Sequence, residues 1–166
     1  WKKKKSLNSK SLGIEISNPG HTFKYANFKK KQIKSLFLLV SQLKKKYKIR
    51  NTHILGHSDI SPDRKKDPGE KFPWKYLSKN KVGLWYNLNE KKLSEIRKKK
   101  VAKYDKSNFL KNLFKIGYSK DLSKNKNRNI KLLTKAFQRR FRQNLVNGII
   151  DKECLLISKN LAKNLK

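Results

Sequence analysis

The stretch GHSDISPDRKKDPG, residues 56–69, combines residue types that can bind a metal ion and hydrolyse a bond. It contains one histidine, three aspartates and three basic residues within fourteen positions. A neutral imidazole and a carboxylate are both good zinc ligands, so His57 and Asp67 are candidate metal ligands. A catalytic zinc takes three protein ligands, so these two residues make an incomplete set.

Two further side chains have the chemistry that hydrolysis requires. Lys65 lies two residues before Asp67, so in an extended loop both side chains point the same way. Its ammonium group could stabilise the negative oxygen that forms when water attacks a carbonyl. Glu15, on the open face of a predicted strand, could take the proton from that water. We therefore treat Glu15 and Lys65 as candidate catalytic residues.

The same residues also have simpler interpretations, which their spacing leaves open. His57 could be a hydrogen-bonded histidine of a turn, and the aspartates could form turns in which the side chain bonds the nearby backbone. His21 and His53 are more readily explained as structural or exposed residues than as ligands. His53 nevertheless lies four residues before His57, on the same face of a predicted strand.

Three segments predict the scaffold that positions these residues. In residues 11–17, SLGIEIS, apolar and polar residues alternate, which predicts a half-buried strand. Residues 28–48 carry apolar side chains at three- and four-residue spacing opposite lysines, which predicts an amphipathic helix of about five turns. Residues 52–57, THILGH, predict a second strand that runs into the loop. Strand, helix and strand in this order predict an α/β fold with the loop at the edge of its sheet.

A change in composition predicts a second unit after residue 88. Residues 89–106 are almost entirely charged, which indicates a helical or flexible linker. From about residue 107 the pattern predicts three short helices, with Asp151 as the N-cap of the last one. The sequence thus divides into a domain at 1–88, a linker at 89–106 and a small three-helix bundle at 107–166.

The formal net charge is +34, from 45 Lys and Arg against 11 Asp and Glu. Such a chain attracts polyanions, including nucleic acids, anionic lipids and acidic cell-wall polymers. The lysines are spread along the whole chain, which argues against a specific nucleic-acid site. The single cysteine, Cys154, excludes an internal disulfide framework and a cysteine zinc cluster. No apolar run approaches the roughly 20 residues of a membrane-spanning helix.

Two segments in the first 87 residues carry a family resemblance. SLGIEISNPGH (11–21), followed by GHSDISPDRKKDPGEKFPW (56–74), resembles the zinc-dependent N-acetylmuramoyl-L-alanine amidases, a group related in fold to phage lysozyme-type amidases and peptidoglycan recognition proteins. The resemblance implies a mixed β-sheet flanked by helices, with one zinc ion in a groove that binds peptidoglycan peptides. It also implies hydrolysis of the amide between N-acetylmuramic acid and L-alanine in peptidoglycan or muropeptides.

The resemblance assigns a role to each candidate residue. His57 and Asp67 correspond to zinc ligands, Lys65 to a lysine that assists catalysis, and Glu15 to a candidate general base or water-orienting group. The family also takes a first zinc histidine from a strand upstream of the GIEI segment, and no histidine precedes Glu15 in this sequence. Either residues 1–88 are the C-terminal part of the catalytic domain, which the absence of Met at position 1 favours, or the ligand has been lost. The second case implies a catalytically inactive peptidoglycan-binding protein that keeps the fold.

The C-terminal part carries a less specific resemblance. KAFQRRFRQNLVNGIIDKECLLISKNL (135–161) is similar to a three-helix peptidoglycan-binding domain that follows the catalytic domain in some of these amidases. Cys154 stands where that pattern commonly has threonine. The resemblance implies a wall-anchoring role, peptidoglycan or muropeptides as partners, and a location in the bacterial cell envelope, in the periplasm or at the outer membrane, in preference to the cytoplasm.

Overall fold

The computed structural model describes residues 1, 2, 4, 6–120 and 125–165. Seven α-helices span this part of the chain, together with two short 3-10 helices at Leu7–Lys10 and Asn51–His53. The α-helices are α1 (Lys30–Lys46), α2 (His57–Ile60), α3 (Trp74–Lys79), α4 (Glu90–Ile96), α5 (Lys103–Ile116), α6 (Lys126–Phe141) and α7 (Lys152–Lys163). None of the helices described is long and apolar enough to cross a membrane.

The predicted mixed β-sheet is wrong, because the residues described contain no strand. Residues 12–19 run without regular structure and make no backbone–backbone hydrogen bond to another described segment. Leu12 and Ile14, which should have faced a core, are 55% and 38% exposed. Residues 52–57 instead lie partly in the second 3-10 helix and in the first residue of α2. Alternation marks which side chains share a face, but a strand also needs a neighbouring strand to bond its backbone.

The predicted helices are confirmed. The amphipathic pattern of residues 28–48 gives α1, which buries Ile33 and Leu36. The three predicted C-terminal helices correspond to α5, α6 and α7. Asp151 caps α7 as expected, since its carboxylate accepts a hydrogen bond of 2.9 Å from the backbone N–H of Cys154.

The buried apolar side chains form two clusters. The first cluster lies among α5, α6 and α7 and includes Trp1 from the N-terminal end and Leu93 from α4. The second cluster joins α1 to residues 72–82. Trp85 packs against both clusters. Because Leu93 is 2% exposed, the charged segment 89–106 contributes to the packed interior, and the division into two domains and a linker stays a prediction.

Candidate functional site

The loop between α2 and α3 brings the two predicted metal ligands together. His57 is the first residue of α2, directly after the N-cap Gly56. The backbone N–H of Ser58 donates a hydrogen bond of 2.9 Å to the carbonyl of Asp67, which closes the loop. As a result, Nδ1 of His57 lies 3.1 Å from Oδ2 of Asp67, and the two side chains are 43% and 60% exposed. The pair is open to solvent and to a ligand.

The geometry of this pair fits two ligands of one zinc ion. Two ligand atoms at the usual zinc distances, in tetrahedral arrangement, lie about 3.3 Å apart. The 3.1 Å between Nδ1 of His57 and Oδ2 of Asp67 is close to this separation. Among the residues described, no group of three or more His, Cys, Asp or Glu side chains is arranged to hold a metal. In a zinc site, this pair would therefore supply two of the three protein ligands that a catalytic zinc takes.

The two predicted catalytic residues are not joined to this pair. Glu15 is exposed in the extended segment that replaces the predicted strand, and Lys65 is partly buried in the turn after α2. The backbone N–H of Lys65 bonds the carbonyl of Ser61 at 2.9 Å. Within the described part of the chain, neither the Glu15 carboxylate nor the Lys65 ammonium makes a hydrogen bond or ion pair. Neither side chain is thus held by a polar contact with a described residue.

The other histidines lie outside this pair. Nε2 of His21 contacts the Glu70 carboxylate at 3.0 Å, and the His21 ring stacks on Tyr25 with 4.3 Å between ring centroids. His53 belongs to a 3-10 helix and not to a strand shared with His57. Burial lowers the pKa of His53, and the charges of nearby Lys2, Lys4 and Arg50 lower it further. These effects disfavour the charged form of His53, and His53 forms no group of three with His57 and Asp67.

A buried polar network, which the sequence did not reveal, holds the start of α2. Oδ1 of Asp59 accepts a hydrogen bond of 2.6 Å from the Tyr118 hydroxyl, and Oδ2 accepts one of 2.9 Å from the backbone N–H of Gly56. Arg140 donates to Oδ2 of Asp59 through Nη1, and to the carbonyl of Ile54 at 2.9 Å through Nη2. Asp59, Tyr118 and Arg140 are each no more than 3% exposed.

This network holds the backbone next to His57 through residues that are distant in the sequence. Asp59 lies two residues after His57, whereas Tyr118 and Arg140 lie 59 and 81 residues beyond Asp59. The guanidinium of Arg140 also stacks over Trp74, at 4.2 Å from the ring centroid. Removing one partner of a buried ion pair leaves an uncompensated charge, so the arrangement is costly to disturb. No local spacing pattern indicates such distant partners, so the sequence alone assigns Asp59 only to the loop.

A second set of contacts holds the turn that follows Asp67. The Tyr25 hydroxyl donates a hydrogen bond of 2.7 Å to the carbonyl of Pro68 and accepts one of 3.0 Å from the backbone N–H of Lys71. Gly69 has φ +82°, and a Cβ atom there would lie 2.5 Å from the Tyr25 hydroxyl. Burial raises the pKa of Tyr25 to about 12, so the hydroxyl keeps its proton. The turn thus requires glycine and keeps Asp67 in place.

Comparison with known proteins connects this loop to one kind of enzyme. Residues 1–70 match the Amidase_2 family model, described as N-acetylmuramoyl-L-alanine amidase. The chain is 32% identical over 168 residues to the N-acetylmuramoyl-L-alanine amidase AmiD of Escherichia coli K12. This alignment covers 97% of the chain and 60% of AmiD. The chain is therefore similar in sequence to N-acetylmuramoyl-L-alanine amidases. It spans about three fifths of the length of this curated relative.

Solved structures agree with this relationship. The crystal structure of AmpDh3 from Pseudomonas aeruginosa aligns with a TM-score of 0.81 and 28% identity, over 98% of this chain and 65% of AmpDh3. AmiD from E. coli, in complex with the substrate anhydro-N-acetylmuramic acid-L-Ala-D-gamma-Glu-L-Lys, aligns with a TM-score of 0.72 and 29% identity. That alignment covers 84% of this chain and 54% of AmiD. Both alignments extend well beyond the His57–Asp67 loop.

Proposed function

We propose that the protein is a zinc-dependent amidase that hydrolyses the bond between N-acetylmuramic acid and L-alanine in muropeptides or peptidoglycan. The observation that carries this proposal is the His57–Asp67 pair, at 3.1 Å and open to solvent, on a loop within the matched region 1–70. The similarity to AmiD, solved with an anhydromuropeptide substrate, supports the same substrate class. We also propose a location in the bacterial cell envelope.

The pair would hold zinc through Nδ1 of His57 and Oδ2 of Asp67. When bound, zinc supplies Lewis acidity, which polarises a carbonyl and lowers the pKa of water. The family resemblance implies a third protein ligand, and the described residues form no group of three His, Cys, Asp or Glu side chains that would include it. Asp59 and its buried partners hold the backbone that carries His57. The backbone at His57 would therefore not need to reorganise when zinc binds.

The protein's own side chains would carry the proton and charge movements. Lys65, whose ammonium has no ion-pair partner among the residues described, would stabilise the negative charge that develops on the substrate carbonyl oxygen. Glu15 would accept the proton from the attacking water, and would return it to the leaving amine of L-alanine. Both assignments follow the family resemblance, and the exposure of Glu15 supports its access to a substrate.

Metal dependence and two substitutions test this proposal. The full-length protein is incubated with anhydro-N-acetylmuramic acid-L-Ala-D-gamma-Glu-L-Lys, and release of the peptide is followed by chromatography. We expect chelation to abolish the activity and added zinc to restore it, and we expect His57→Ala and Asp67→Ala to lose it by a factor of at least about 10³. His53→Ala is the matched control and should retain the activity. An His57→Ala variant as active as the unmutated protein would contradict the proposal.

A catalytically inactive peptidoglycan-binding protein is the second candidate. The observation that favours it is that the described residues supply two ligands and no third. This candidate predicts that the full-length protein binds the muropeptide without releasing the peptide, whether or not zinc is added. Zinc-dependent release of the peptide would exclude it.

A further inference from the structure

Arg139 is a recessed cation without a partner among the residues that the structure describes. It lies on α6 and is 9% exposed, and its guanidinium makes no hydrogen bond or ion pair with the described residues. Its Nε is completely buried and unbonded. The neighbouring arginines differ, because Arg140 pairs with Asp59 and Arg142 pairs with Asp151. Burying a charge without a partner is unfavourable, so Arg139 calls for an explanation.

The flanking residues place Arg139 beside the candidate active site. Arg140 bonds Asp59 at the start of α2. Gln143, one turn further on, donates a hydrogen bond of 2.7 Å from Nε2 to the carbonyl of Phe72. The end of α6 and the residues directly after it therefore contact both α2 and the segment that follows Asp67. Glu70 and Tyr25, which belong to the turn after Asp67 and its support, act electrostatically on Arg139.

The nearest carboxylate is already engaged. Glu70 contacts Nε2 of His21 through both oxygens, at 3.0 and 3.2 Å, and makes no ion pair with Arg139. The two Nη atoms of Arg139 are not among the completely buried unbonded atoms, so they reach the surface while Nε does not. A guanidinium held in this way presents two parallel N–H donors, which match the two oxygens of a carboxylate.

We propose that Arg139 binds a carboxylate of the substrate's stem peptide. This inference rests on the proposed function, which supplies the substrate class. In a peptide L-Ala-D-gamma-Glu-L-Lys, the gamma linkage leaves the α-carboxylate of D-Glu free, and the terminal Lys carries a second carboxylate. Either group can form the same bidentate contact. The C-terminal helices would thus contribute directly to the recognition of substrate at the loop of His57 and Asp67.

Binding of the product peptide tests the inference without requiring hydrolysis. L-Ala-D-gamma-Glu-L-Lys is titrated into the protein and followed by NMR, together with two analogues that carry an amide at the D-Glu α-carboxyl or at the C-terminus. We expect one analogue to bind the unmutated protein about tenfold more weakly than the free acid does. We expect Arg139→Gln to weaken binding of the free acid by the same factor. The same analogue should bind Arg139→Gln as tightly as it binds the unmutated protein.

Two variants serve as controls. Arg128→Gln removes an exposed arginine from the first turn of the same helix and should bind all three peptides as the unmutated protein does. Arg139→Lys keeps the charge but loses the paired donors, so we expect it to weaken binding of the free acid less than Arg139→Gln does. The comparison of acid and amide in the unmutated protein does not depend on any variant folding.

Three results would overturn the inference: equal binding of the acid and both amides, unchanged binding of the acid by Arg139→Gln, or no binding of any peptide. Its failure is distinguishable from failure of the proposed function. If the protein cleaves the muropeptide and Arg139→Gln prefers the acid over the amide as the unmutated protein does, only the role proposed for Arg139 is contradicted. If the protein cleaves no muropeptide but prefers the acid to the amide through Arg139, the peptide-binding site is supported and the amidase function is contradicted.

Discussion

At the scale of single residues, the conformation of the loop determines which side chain pairs with the Asp67 carboxylate. Three basic residues, 64–66, directly precede Asp67, yet its carboxylate pairs with His57 among the residues described. The backbone hydrogen bond from Ser58 to Asp67 imposes this choice by closing the loop. The sequence therefore indicates the chemistry of both side chains, whereas their 3.1 Å separation depends on the closed loop.

Lys65 gives the prediction that belongs to this scale. We expect Lys65→Met to lower kcat by roughly 10²–10³, because it removes the group that we propose to stabilise charge in the transition state. The free energy of unfolding should change by less than about 0.5 kcal/mol, since the side chain is only partly buried and makes no polar contact with the described residues. Steady-state kinetics on the muropeptide and urea unfolding measure the two quantities.

Lys66→Met is the matched control for this substitution. Lys66 is the exposed neighbour of Lys65, so its replacement should change neither kcat nor stability. If both variants keep the unmutated kcat, the catalytic role proposed for Lys65 is wrong.

At the scale of elements, the short helix α2 depends on a buried ion pair for its position. A helix of four residues has little stability of its own, so tertiary contacts must hold it. We expect Arg140→Met to reduce the free energy of unfolding by about 3–5 kcal/mol, because it leaves the buried Asp59 carboxylate without its cation. Zinc affinity should fall as well, since His57 begins the same helix. Urea unfolding and zinc titration measure the two effects.

The exposed ion pair between Lys75 and Glu90 provides the comparison. Its side chains are 43% and 48% exposed. Lys75→Met should cost less than about 1 kcal/mol and leave zinc affinity unchanged, because exposed pairs contribute little. Arg140→Met with a cost as small as that of Lys75→Met would show that the buried network does not hold α2.

The turn after Asp67 gives a second prediction at this scale. Gly69→Ala should reduce the free energy of unfolding by about 1–3 kcal/mol, because φ is +82° and the new Cβ would meet the Tyr25 hydroxyl. Gly13→Ala is the control, since nothing lies within 4 Å of a Cβ at that position. Equal unfolding midpoints in urea for the two variants would contradict this account of the turn.

Elements differ in how far the sequence predicts them. The spacing of apolar residues in α1, α5, α6 and α7 is a local signal, and each of these helices is present. The alternation in residues 11–17 is also local, but a strand needs a partner, and none is found in the described part of the chain. Asp59 could not be assigned from spacing, because its partners Tyr118 and Arg140 are distant in sequence.

At the scale of the whole molecule, the two ends of the chain share one core. The first cluster joins Trp1 to α5, α6 and α7, and the Trp1 ring lies 5.0 Å from the ring of Tyr118. The Asp59–Arg140 pair adds a buried polar connection between residues 1–70, which match the amidase family model, and α6. Residues 107–166 therefore support the candidate site, in addition to any wall-binding role.

This arrangement predicts an asymmetry between two fragments of the chain. Residues 107–166 retain most of the first cluster and should unfold cooperatively on their own. Residues 1–106 lose Tyr118 and Arg140, leave Asp59 unpaired, and should show no cooperative transition. Thermal unfolding followed by circular dichroism tests both statements. A cooperative transition in residues 1–106 would favour the independent domains that the sequence predicts.

The most direct test of the proposed amidase activity is to determine whether the protein cleaves a muropeptide and, if it does, which bond it cleaves. Anhydro-N-acetylmuramic acid-L-Ala-D-gamma-Glu-L-Lys is incubated with the protein and zinc, and the products are analysed by mass spectrometry. An amidase acting through His57 and Asp67 should release intact L-Ala-D-gamma-Glu-L-Lys and the free anhydro sugar acid, and His57→Ala should release neither. Recovery of the uncleaved muropeptide, or cleavage within the peptide, would contradict the account.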